Sequence, residues 1–323
     1  MHVSETGHMA HADHVYSSAH GNAAAASSPV VASWRRCMTM HHLAPEDNRR
    51  PDRLTEAEFL RARQGSERLI AQASDELDRL FSAVGRSGCC LLLTDRNGVA
   101  LERRGAVGDD KAFHDLGLWP SSVWTEASIG TNGIGTALAD ERAVSIYRDQ
   151  HFFCANTTLS CTTAPIRDHR GELAAALDIS TCREDVSETV LSIIAQTVRD
   201  AALRIELNLF RSAFPGARFL MVPQAVHAAA ALLAVDRNDL VIGATRAARL
   251  ALKLDDARIA AGIPAADALD ESAPDDRRDL IESERAALMR ALSRANGNVS
   301  QAAIALGVSR ATLHRKMNRF GLH

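Results

Sequence analysis

Aromatic residues, long apolar runs and early positive charges are scarce or missing in this sequence. Phe, Trp and Tyr together make up 4% of the 323 residues, so any core must be built mainly from aliphatic side chains. The most apolar stretch, 225–235, is shorter than the ~20 residues that span a bilayer. No Lys or Arg precedes Arg35, whereas a secretory signal begins with positive charge. We therefore expect a cytoplasmic protein without a membrane segment.

Catalytic, metal-binding and nucleotide-binding patterns are also missing. None of the three lysines follows a glycine, so the sequence has no Gly-Lys-Ser/Thr loop of the kind that holds ATP phosphates. No Ser-His-Asp order, paired carboxylates or metal-ligand spacing indicates an active site, and we expect no catalytic residue, bound metal, cofactor or ATPase activity. The cysteines form no CxxC pair, which favours reduced thiols. They are Cys37, Cys89, Cys90, Cys154, Cys161 and Cys182.

The N-terminal residues 1–30 are rich in His, Ala and Ser, a composition that predicts a disordered tail. Metal binding by its histidines is the alternative. Their irregular spacing favours the flexible tail; they are His2, His8, His11, His14 and His20.

Residues 31–66 combine helical and extended patterns. From Thr55 a helical pattern continues to about Val84. Its apolar positions fall at helical spacing and predict one buried face. They include Leu69, Ala73, Leu77 and Leu80.

Three segments share the pattern of an apolar run, a turn and a second apolar run. The turns are Asp95–Gly98, Asp168–Gly171 and Asp236–Asp239. Apolar runs joined by such Asp, Asn and Gly turns predict antiparallel hairpins. Hairpins flanked by helices predict an α+β protein built on antiparallel sheets.

A glycine-rich motif, WTEASIGTNGIGT, occupies residues 124–136. Three glycines among Thr and Asn are able to cradle an anion. However, their spacing matches neither GxGxxG nor GxxxxGK[ST]. A tight loop that enters a helix is the favoured interpretation, and direct phosphate binding is the alternative.

Residues 294–323 have the pattern of a helix-turn-helix. Asn298 is placed to cap a short helix with an apolar face. Gly307 supplies the left-handed conformation that ends this helix. Ser309 is placed to cap the final helix.

The final helix separates apolar from basic residues. Its apolar positions recur at helical spacing and predict an inward face: Leu313, Met317 and Phe320. Residues 294–323 contain no Asp or Glu, although the chain has a formal net charge of -3. A basic second helix suits the major groove, where Arg and Lys neutralise phosphates and bond guanine edges. The predicted DNA contacts are Asn298, Ser300, Ser309, Arg310, Thr312, His314, Arg315, Lys316 and Arg319.

Residues 280–323 resemble the Fis-type helix-turn-helix that ends many bacterial enhancer-binding regulators. The resemblance rests on Gly297-Asn298, Ala302-Ala303 and the runs 306–310 and 312–316, with His314 where Tyr is usual. In Fis-type domains the preceding helix pairs two subunits, so the resemblance implies a homodimer. Two recognition helices would then lie about 34 Å apart and favour a palindromic site.

Residues 67–210 resemble the GAF sensory domain of the acetoin-catabolism regulator family. The glycine-rich motif carries the resemblance together with 149–152, 161–166 and 171–180, and the segments 33–37 and 43–45 match the family's N-terminal signature. The resemblance implies a pocket for a small-molecule effector. The candidate effector-binding residues are Trp124, Asn132, His151, Cys154 and Cys161.

Residues 218–270 are similar to the same family's PAS-like α/β segment, although Thr245 stands where Asn is usual. Residues 271–279 are acidic, contain Pro274, and predict a linker.

These patterns predict an effector-responsive transcription regulator that binds double-stranded DNA as a dimer, with contacts to RNA polymerase as one route to its effect. The family it resembles usually carries an AAA+ ATPase between the sensor and the helix-turn-helix, and this sequence has no such domain there. The alternative is an anti-activator that forms mixed dimers with a full-length AAA+ homologue. An enzyme is the remaining alternative and has no supporting pattern.

Overall fold

The computed structural model describes residues 5–20, 28–47, 49–85, 88–223, 225, 230–270, 277–295 and 297–322. The chain divides into two units, residues 1–263 and 264–323. In these described ranges no helix is long and apolar enough to cross a membrane.

The first unit combines helices and antiparallel strands. Its strands are β1 (Asp52–Arg53), β2 (Cys89–Asp95), β3 (Ala100–Arg104), β4 (Ser122–Val123), β5 (Val144–Tyr147), β6 (Ser160–Arg167), β7 (Leu173–Thr181), β8 (Arg218–Met221), β9 (Leu232–Val235) and β10 (Val241–Ala244). Its helices are α1 (Glu5–His20), α2 (Pro29–Thr39), α3 (Glu56–Gly65), α4 (Glu67–Val84), α5 (Asp110–Asp115), α6 (Glu126–Ile129), α7 (Gly133–Asp140), α8 (Glu188–Ala213), α9 (Arg246–Leu252) and α10 (Asp256–Ala260).

A five-stranded antiparallel sheet, in the order β3-β2-β7-β6-β5, lies at the centre of the first unit. Every residue of β2 is buried because both faces of the sheet are covered. Successive side chains of a strand point to opposite faces. Leu91 and Leu93 therefore pack in the core formed with α4 and α8, whereas Cys90 and Leu92 pack in a second core. We call this second core the aromatic layer; its rings are Trp34, Phe113, Trp124, Phe152 and Phe153.

The three predicted hairpins are confirmed, and their turns share one design. In each turn the first aspartate accepts hydrogen bonds from the backbone N–H groups two and four residues later. The Asp95 carboxylate accepts from Asn97 and Val99 at 2.9 Å. Asp168 and Asp236 make the same pair of bonds at 2.8 to 3.0 Å. These turns fix the register of β2 with β3, β6 with β7, and β9 with β10.

The expectation of a disordered tail is wrong for residues 5–20, which form α1. Ala12, Val15 and Ala19 are buried, and Val15 and Ala19 belong to the aromatic layer. His11 Nε2 donates to the carbonyl oxygens of His151, at 3.1 Å, and Phe152, at 3.3 Å. Alanine favours helix formation, and three small apolar side chains on one face supply the tertiary contact that composition alone does not reveal. Residues 1–4 and 21–27 lie outside the described ranges.

The helical pattern predicted from Thr55 to Val84 forms two helices, α3 and α4. Thr55 opens α3 with a capping box that involves Glu58. The helix ends at Gly65, Ser66 separates it from α4, and α4 buries the predicted face of Leu69, Ala73, Leu77 and Leu80. Glycine is a poor helix former, which is consistent with the interruption at this point.

A second, three-stranded antiparallel sheet has the order β10-β9-β8. Leu232 and Ala234 of β9 pack against Phe210 at the end of α8, with Phe214 and Phe219 beside them. The β6–β7 turn approaches this part of the chain, because a Cβ on Gly171 would lie 3.2 Å from Arg246 Cβ.

The second unit contains α11 (Ala265–Asp270), α12 (Arg277–Arg294), α13 (Val299–Ala305) and α14 (Arg310–Phe320). The predicted linker 271–279 ends earlier than expected, because α12 begins at Arg277. Residues 271–276 lie outside the described ranges.

Candidate functional site

The helix-turn-helix is built by the predicted caps. Asn298 Oδ1 accepts from the N–H groups of Ser300 at 3.1 Å and Gln301 at 3.2 Å and begins α13. Gly307 follows α13 with a φ of 64°, the left-handed region that glycine adopts without steric cost. Ser309 Oγ accepts from Thr312 N–H at 3.1 Å and begins α14. The local sequence therefore sets both helix starts and the turn between them.

A small core holds α14 against α12 and α13. Leu313 and Met317 of α14 are buried with Ala302 and Ala303 of α13 and Leu288 of α12. Phe320 is partly buried against the same cluster. The predicted inward face of α14 is confirmed, and its other faces remain open to solvent.

The predicted DNA contacts differ in how available they are. Arg310, His314, Arg315 and Arg319 are exposed on α14. Asn298, Ser300 and Ser309 are also exposed, although Asn298 and Ser309 are occupied as caps. The Thr312 hydroxyl lies 2.9 Å from Ser309 Oγ and helps hold the start of α14. Among these predicted contacts, the four exposed basic residues of α14 are therefore the most accessible to a ligand.

Glu284 of α12 lies beside two of the predicted contacts. Lys316 Nζ forms an ion pair with Glu284 Oε1, and Arg319 Nη1 lies 3.9 Å from Oε2 of the same carboxylate. The pKa of Glu284 is lowered, chiefly by the hydrogen bond from Lys316. DNA would have to compete with this carboxylate for both cations. The sequence contained no signal for this contact, because it joins residues on different helices.

Asn318 was passed over by sequence reasoning. It is exposed on α14, three residues after Arg315, and so shares the outer face of the helix. Asn is a side chain that bonds adenine edges. The helical repeat would have identified it.

The glycine-rich motif forms two capped turns. Thr125 Oγ1 accepts from Ser128 N–H at 3.1 Å and begins α6. Asn132 Oδ1 accepts from Gly135 N–H at 2.8 Å and begins α7. The motif is therefore a tight loop that enters α7, and the favoured interpretation is confirmed.

The motif is also tied to α2. Glu126 receives two hydrogen bonds from Arg36, both at 2.8 Å, and one from Ser33 Oγ at 2.5 Å. Arg36 Nη2 also lies 2.9 Å from Asp140. The signature segment 33–37 and the glycine-rich motif are therefore partners in one contact.

A buried polar chain crosses β6 and β7 beneath α7. His151 Nδ1 donates to the Arg148 carbonyl at 3.0 Å, and its Nε2 lies 3.3 Å from Cys161 Sγ. Ser180 Oγ lies 3.1 Å from the same sulfur and donates to Asp178 Oδ2 at 2.6 Å. Thr163 donates to Asp178 Oδ1 at 2.5 Å. We call His151, Cys161, Ser180, Asp178 and Thr163 the polar chain.

Burial controls the protonation of the polar chain. It lowers the pKa of His151 to about 4 and raises the pKa of Asp178 to about 6. It also raises the pKa of the Cys161 thiol well above its usual value. At neutral pH the histidine and the thiol are therefore neutral, and Asp178 is the anionic member of the chain.

The candidate effector-binding residues do not form a single cluster. The structure brings His151 and Cys161 together in the polar chain. Trp124 Nε1 donates to the Gly117 carbonyl at 3.0 Å within the aromatic layer, and Asn132 is the α7 cap. Cys154 is buried at a 3-10 turn, where burial raises its pKa. Sequence reasoning missed Asp178, although a charged residue inside an apolar strand is a visible signal of a buried polar site.

Two protein-family models match this chain. A model described as "MimR, N-terminal domain" matches residues 6–206, and a model described as "Bacterial regulatory protein, Fis family" matches residues 280–320. The chain belongs to the MimR N-terminal domain family. The first match covers α1 through most of α8, and the second covers the helix-turn-helix.

Relatives of this MimR-family chain are transcription regulators. It is 32% identical to the acetoin catabolism regulatory protein of Cupriavidus necator over 234 residues. This match covers 69% of this chain and 34% of that protein. It is 27% identical to the propane 2-monooxygenase operon transcriptional activator MimR of Mycolicibacterium smegmatis over 175 residues. This match covers 54% of this chain and 28% of that protein. The chain thus spans about a third of the length of these relatives. The predicted resemblance to acetoin-catabolism regulators is confirmed, and the match at residues 280–320 confirms the Fis-type helix-turn-helix.

The fold also resembles a solved structure. A chain in the crystal structure of the E. coli DhaR(N)-DhaL complex matches with a TM-score of 0.50 and 18% identity, over 71% of this chain and 78% of that chain. This likeness concerns the fold alone.

Proposed function

We propose that this chain is an effector-responsive regulator that binds specific double-stranded DNA through α14. One observation carries the proposal: a complete helix-turn-helix presents Arg310, His314, Arg315 and Arg319 to solvent on its second helix. Arginines bond guanine edges and phosphates, and such a helix fits the major groove. Because DNA is the partner, the protein would act in the cytoplasm.

Dimerisation is part of the proposal. Two copies of α12 would pair, and two α14 helices would then meet successive major grooves about 34 Å apart. The exposed Met289 of α12, with 51% of its surface accessible, supplies apolar surface for such a contact. A palindromic operator follows from this symmetry, and phosphate contacts would make binding fall steeply with salt.

The sensor is proposed to be GAF-like, with the five-stranded sheet as its base and β8 to β10 as a PAS-like companion. The effector would act at the aromatic layer and the polar chain, where polar groups are concentrated in an apolar interior. In this arrangement His151 and Cys161 contact the effector, while Trp124 and Asn132 hold the surrounding layer in place. An effector that binds one conformation better than another would shift the population and bias DNA binding.

The proposed mechanism contains no ATP hydrolysis, in keeping with a sequence in which no lysine follows a glycine. The regulator would repress by occupying a promoter or activate through RNA polymerase. Mixed dimers with a full-length AAA+ homologue are the alternative, and co-purification with such a homologue together with weak DNA binding alone would favour it.

Selection from a random pool of duplexes tests the proposal. The full chain is expected to enrich a palindromic sequence, with half-sites separated by one helical turn. A variant that carries Arg310→Ala and Arg315→Ala is the matched control and should enrich none. Enrichment of the same sequence by this variant, or no enrichment by the natural chain, would refute DNA reading by α14.

A further inference from the structure

A cavity of about 500 Å³ lies beside the β2–β3 and β6–β7 turns, where α3 is followed by α4. We call it the turn cavity. Leu69 and Leu209 in its lining belong to the core formed with α4 and α8, so the cavity is separate from the aromatic layer on the other face of the sheet. Small-molecule sites have volumes of about 300 to 1,000 Å³, and the turn cavity is therefore large enough for a ligand.

The lining of the turn cavity carries both signs of charge in equal number. Three arginines and three carboxylates line it: Arg61, Arg68, Arg96, Asp95, Asp168 and Glu172. A ligand with a single charge would meet as many like charges as opposite ones, whereas a zwitterion finds an opposite partner for each of its charges. The charge balance therefore favours a zwitterion over a simple anion or cation.

Three of these charged side chains already have partners. Asp95 and Asp168 accept backbone hydrogen bonds within their own turns, and Arg68 Nε donates to Ser212 Oγ at 3.1 Å. The other three are exposed and able to turn towards a ligand: Arg61, Arg96 and Glu172. Guanidinium groups bind carboxylates through charge-assisted hydrogen bonds, and a carboxylate binds an ammonium group in the same way.

Apolar side chains form another part of the lining. Leu69 and Leu209 are buried, and Leu173 and Ala174 are half-buried at the start of β7. An aliphatic group that covers them would remove apolar surface from water on both sides of the contact. A ligand that matches the turn cavity therefore combines two opposite charges with a short aliphatic group.

We propose that the turn cavity binds an α-amino acid with an aliphatic side chain. The carboxylate of the amino acid binds Arg61 and Arg96, its ammonium group binds Glu172, and its side chain lies on Leu69 and Leu173. This inference goes beyond the proposed function, because it adds a second ligand site on the face of the sheet opposite the aromatic layer.

Calorimetric titrations of the full chain test the charge requirement. The probes are L-leucine, L-isoleucine and L-valine. Isocaproate is leucine without the ammonium group, isoamylamine is leucine without the carboxylate, and glycine has both charges without the aliphatic group. We expect saturable binding of at least one of the three aliphatic amino acids, and binding of isocaproate, isoamylamine and glycine that is at least tenfold weaker.

Two results of these titrations would overturn the proposal. One is the absence of saturable binding for all three aliphatic amino acids. The other is binding of isocaproate, isoamylamine or glycine at the strength of the best amino acid, because the site would then not require both charges and the aliphatic group.

Substitutions locate the site. A double variant with Arg61→Gln and Arg96→Gln, and separately Glu172→Gln, are each expected to weaken amino-acid binding at least tenfold. All three residues are exposed, so both variants should keep the melting temperature of the natural chain without ligand. Arg199→Gln and Glu184→Gln are the matched controls, because they change exposed residues outside the turn cavity, and they should bind within twofold of the natural chain.

Amino-acid binding at the natural strength in either the double variant or Glu172→Gln would overturn the assignment to the turn cavity. The titrations contain no DNA, so the DNA selection is a separate measurement. Loss of DNA reading with intact amino-acid binding would refute the regulator and leave this site standing, and the reverse result would refute only the site.

Discussion

Arg36 and Glu126 form a two-point ion pair between α2 and the glycine-rich motif. Nε to Oε2 and Nη2 to Oε1 are both 2.8 Å, and the two residues lie 90 positions apart in the sequence. The Glu126 side chain is only 3% exposed, so these donors take the place of water around its carboxylate. The contact joins the N-terminal helices to the loop that covers the polar chain.

Removal of this carboxylate should destabilise the first unit. Glu126→Ala removes the acceptor of Ser33 Oγ and two hydrogen bonds of Arg36, which keeps Asp140, and the loss of such partners costs about 1 to 3 kcal/mol. Asp115→Ala is the matched control, because its pair with Lys111 is exposed to solvent and should contribute much less to stability. Urea unfolding of the two variants gives the comparison, and similar losses in both would contradict a structural role for the Arg36–Glu126 pair.

Helix α1 should depend on Val15. This side chain is fully buried, whereas Met9 on the same helix is 70% exposed. Val15→Asp would bury a charge without a partner, and the helix should detach instead. Hydrogen exchange of the α1 amides is therefore expected to rise by an order of magnitude or more in Val15→Asp and to stay near the natural value in Met9→Asp. Equal protection in both variants would mean that α1 is not packed as the structure has it.

Asp178 should give the protein a distinct pH dependence. Burial raises its folded pKa to about 6 from an ordinary 3.8, so between pH 4 and 6 the folded state binds more protons than the unfolded state. This contribution to stability is present in acid and is lost as pH rises through 6. At about 1.4 kcal/mol per pKa unit, the free energy of unfolding of the natural chain should fall by roughly 2.4 kcal/mol relative to Asp178→Asn between pH 4 and 7.

His151 titrates in the same pH range and has the opposite effect on the free energy of unfolding. His151 has its pKa lowered to about 4, so its contribution rises with pH between about 4 and 6.5. It is present in both proteins and cancels in the difference. Glu172→Gln, which changes an exposed carboxylate, should show no such difference. A flat difference between the natural chain and Asp178→Asn would show that Asp178 is not buried as described.

Local signals made the helix-turn-helix and the hairpins predictable. Asn298, Gly307 and Ser309 act within a few residues of themselves, and the aspartate turns fix each hairpin through bonds no more than four residues long. The apolar face of α4 was predictable for the same reason, because helical spacing is a short-range property. Element type therefore followed from the sequence wherever the deciding contact was local.

Long-range contacts were not predictable. Composition suggested disorder for the N-terminal residues, because it does not reveal that Val15 and Ala19 find partners in the aromatic layer. The pairs Arg36–Glu126 and Lys316–Glu284 join residues far apart in the sequence, and no periodicity indicates them. The effector candidates were chosen by residue type, and only the fold separates a helix cap such as Asn132 from a member of the polar chain.

Glu284 should restrain DNA binding. Glu284→Gln removes the carboxylate that pairs with Lys316 and lies beside Arg319, which leaves both cations available to phosphates. Operator affinity is expected to increase by about threefold, and the slope of log affinity against log salt should steepen by about one unit for each additional phosphate that these cations neutralise. Arg285→Gln changes an exposed neighbour on α12 and should not steepen it. An unchanged or weaker affinity in Glu284→Gln would place Lys316 and Arg319 outside the DNA interface.

Fluorescence anisotropy with the selected operator tests the central claim, DNA reading by α14, most directly. Arg310→Ala and Arg315→Ala should each weaken operator binding by at least tenfold, while Arg199→Ala, an exposed arginine on α8, should bind within twofold of the natural chain. Operator binding by both α14 variants at the strength of the natural chain would contradict the account.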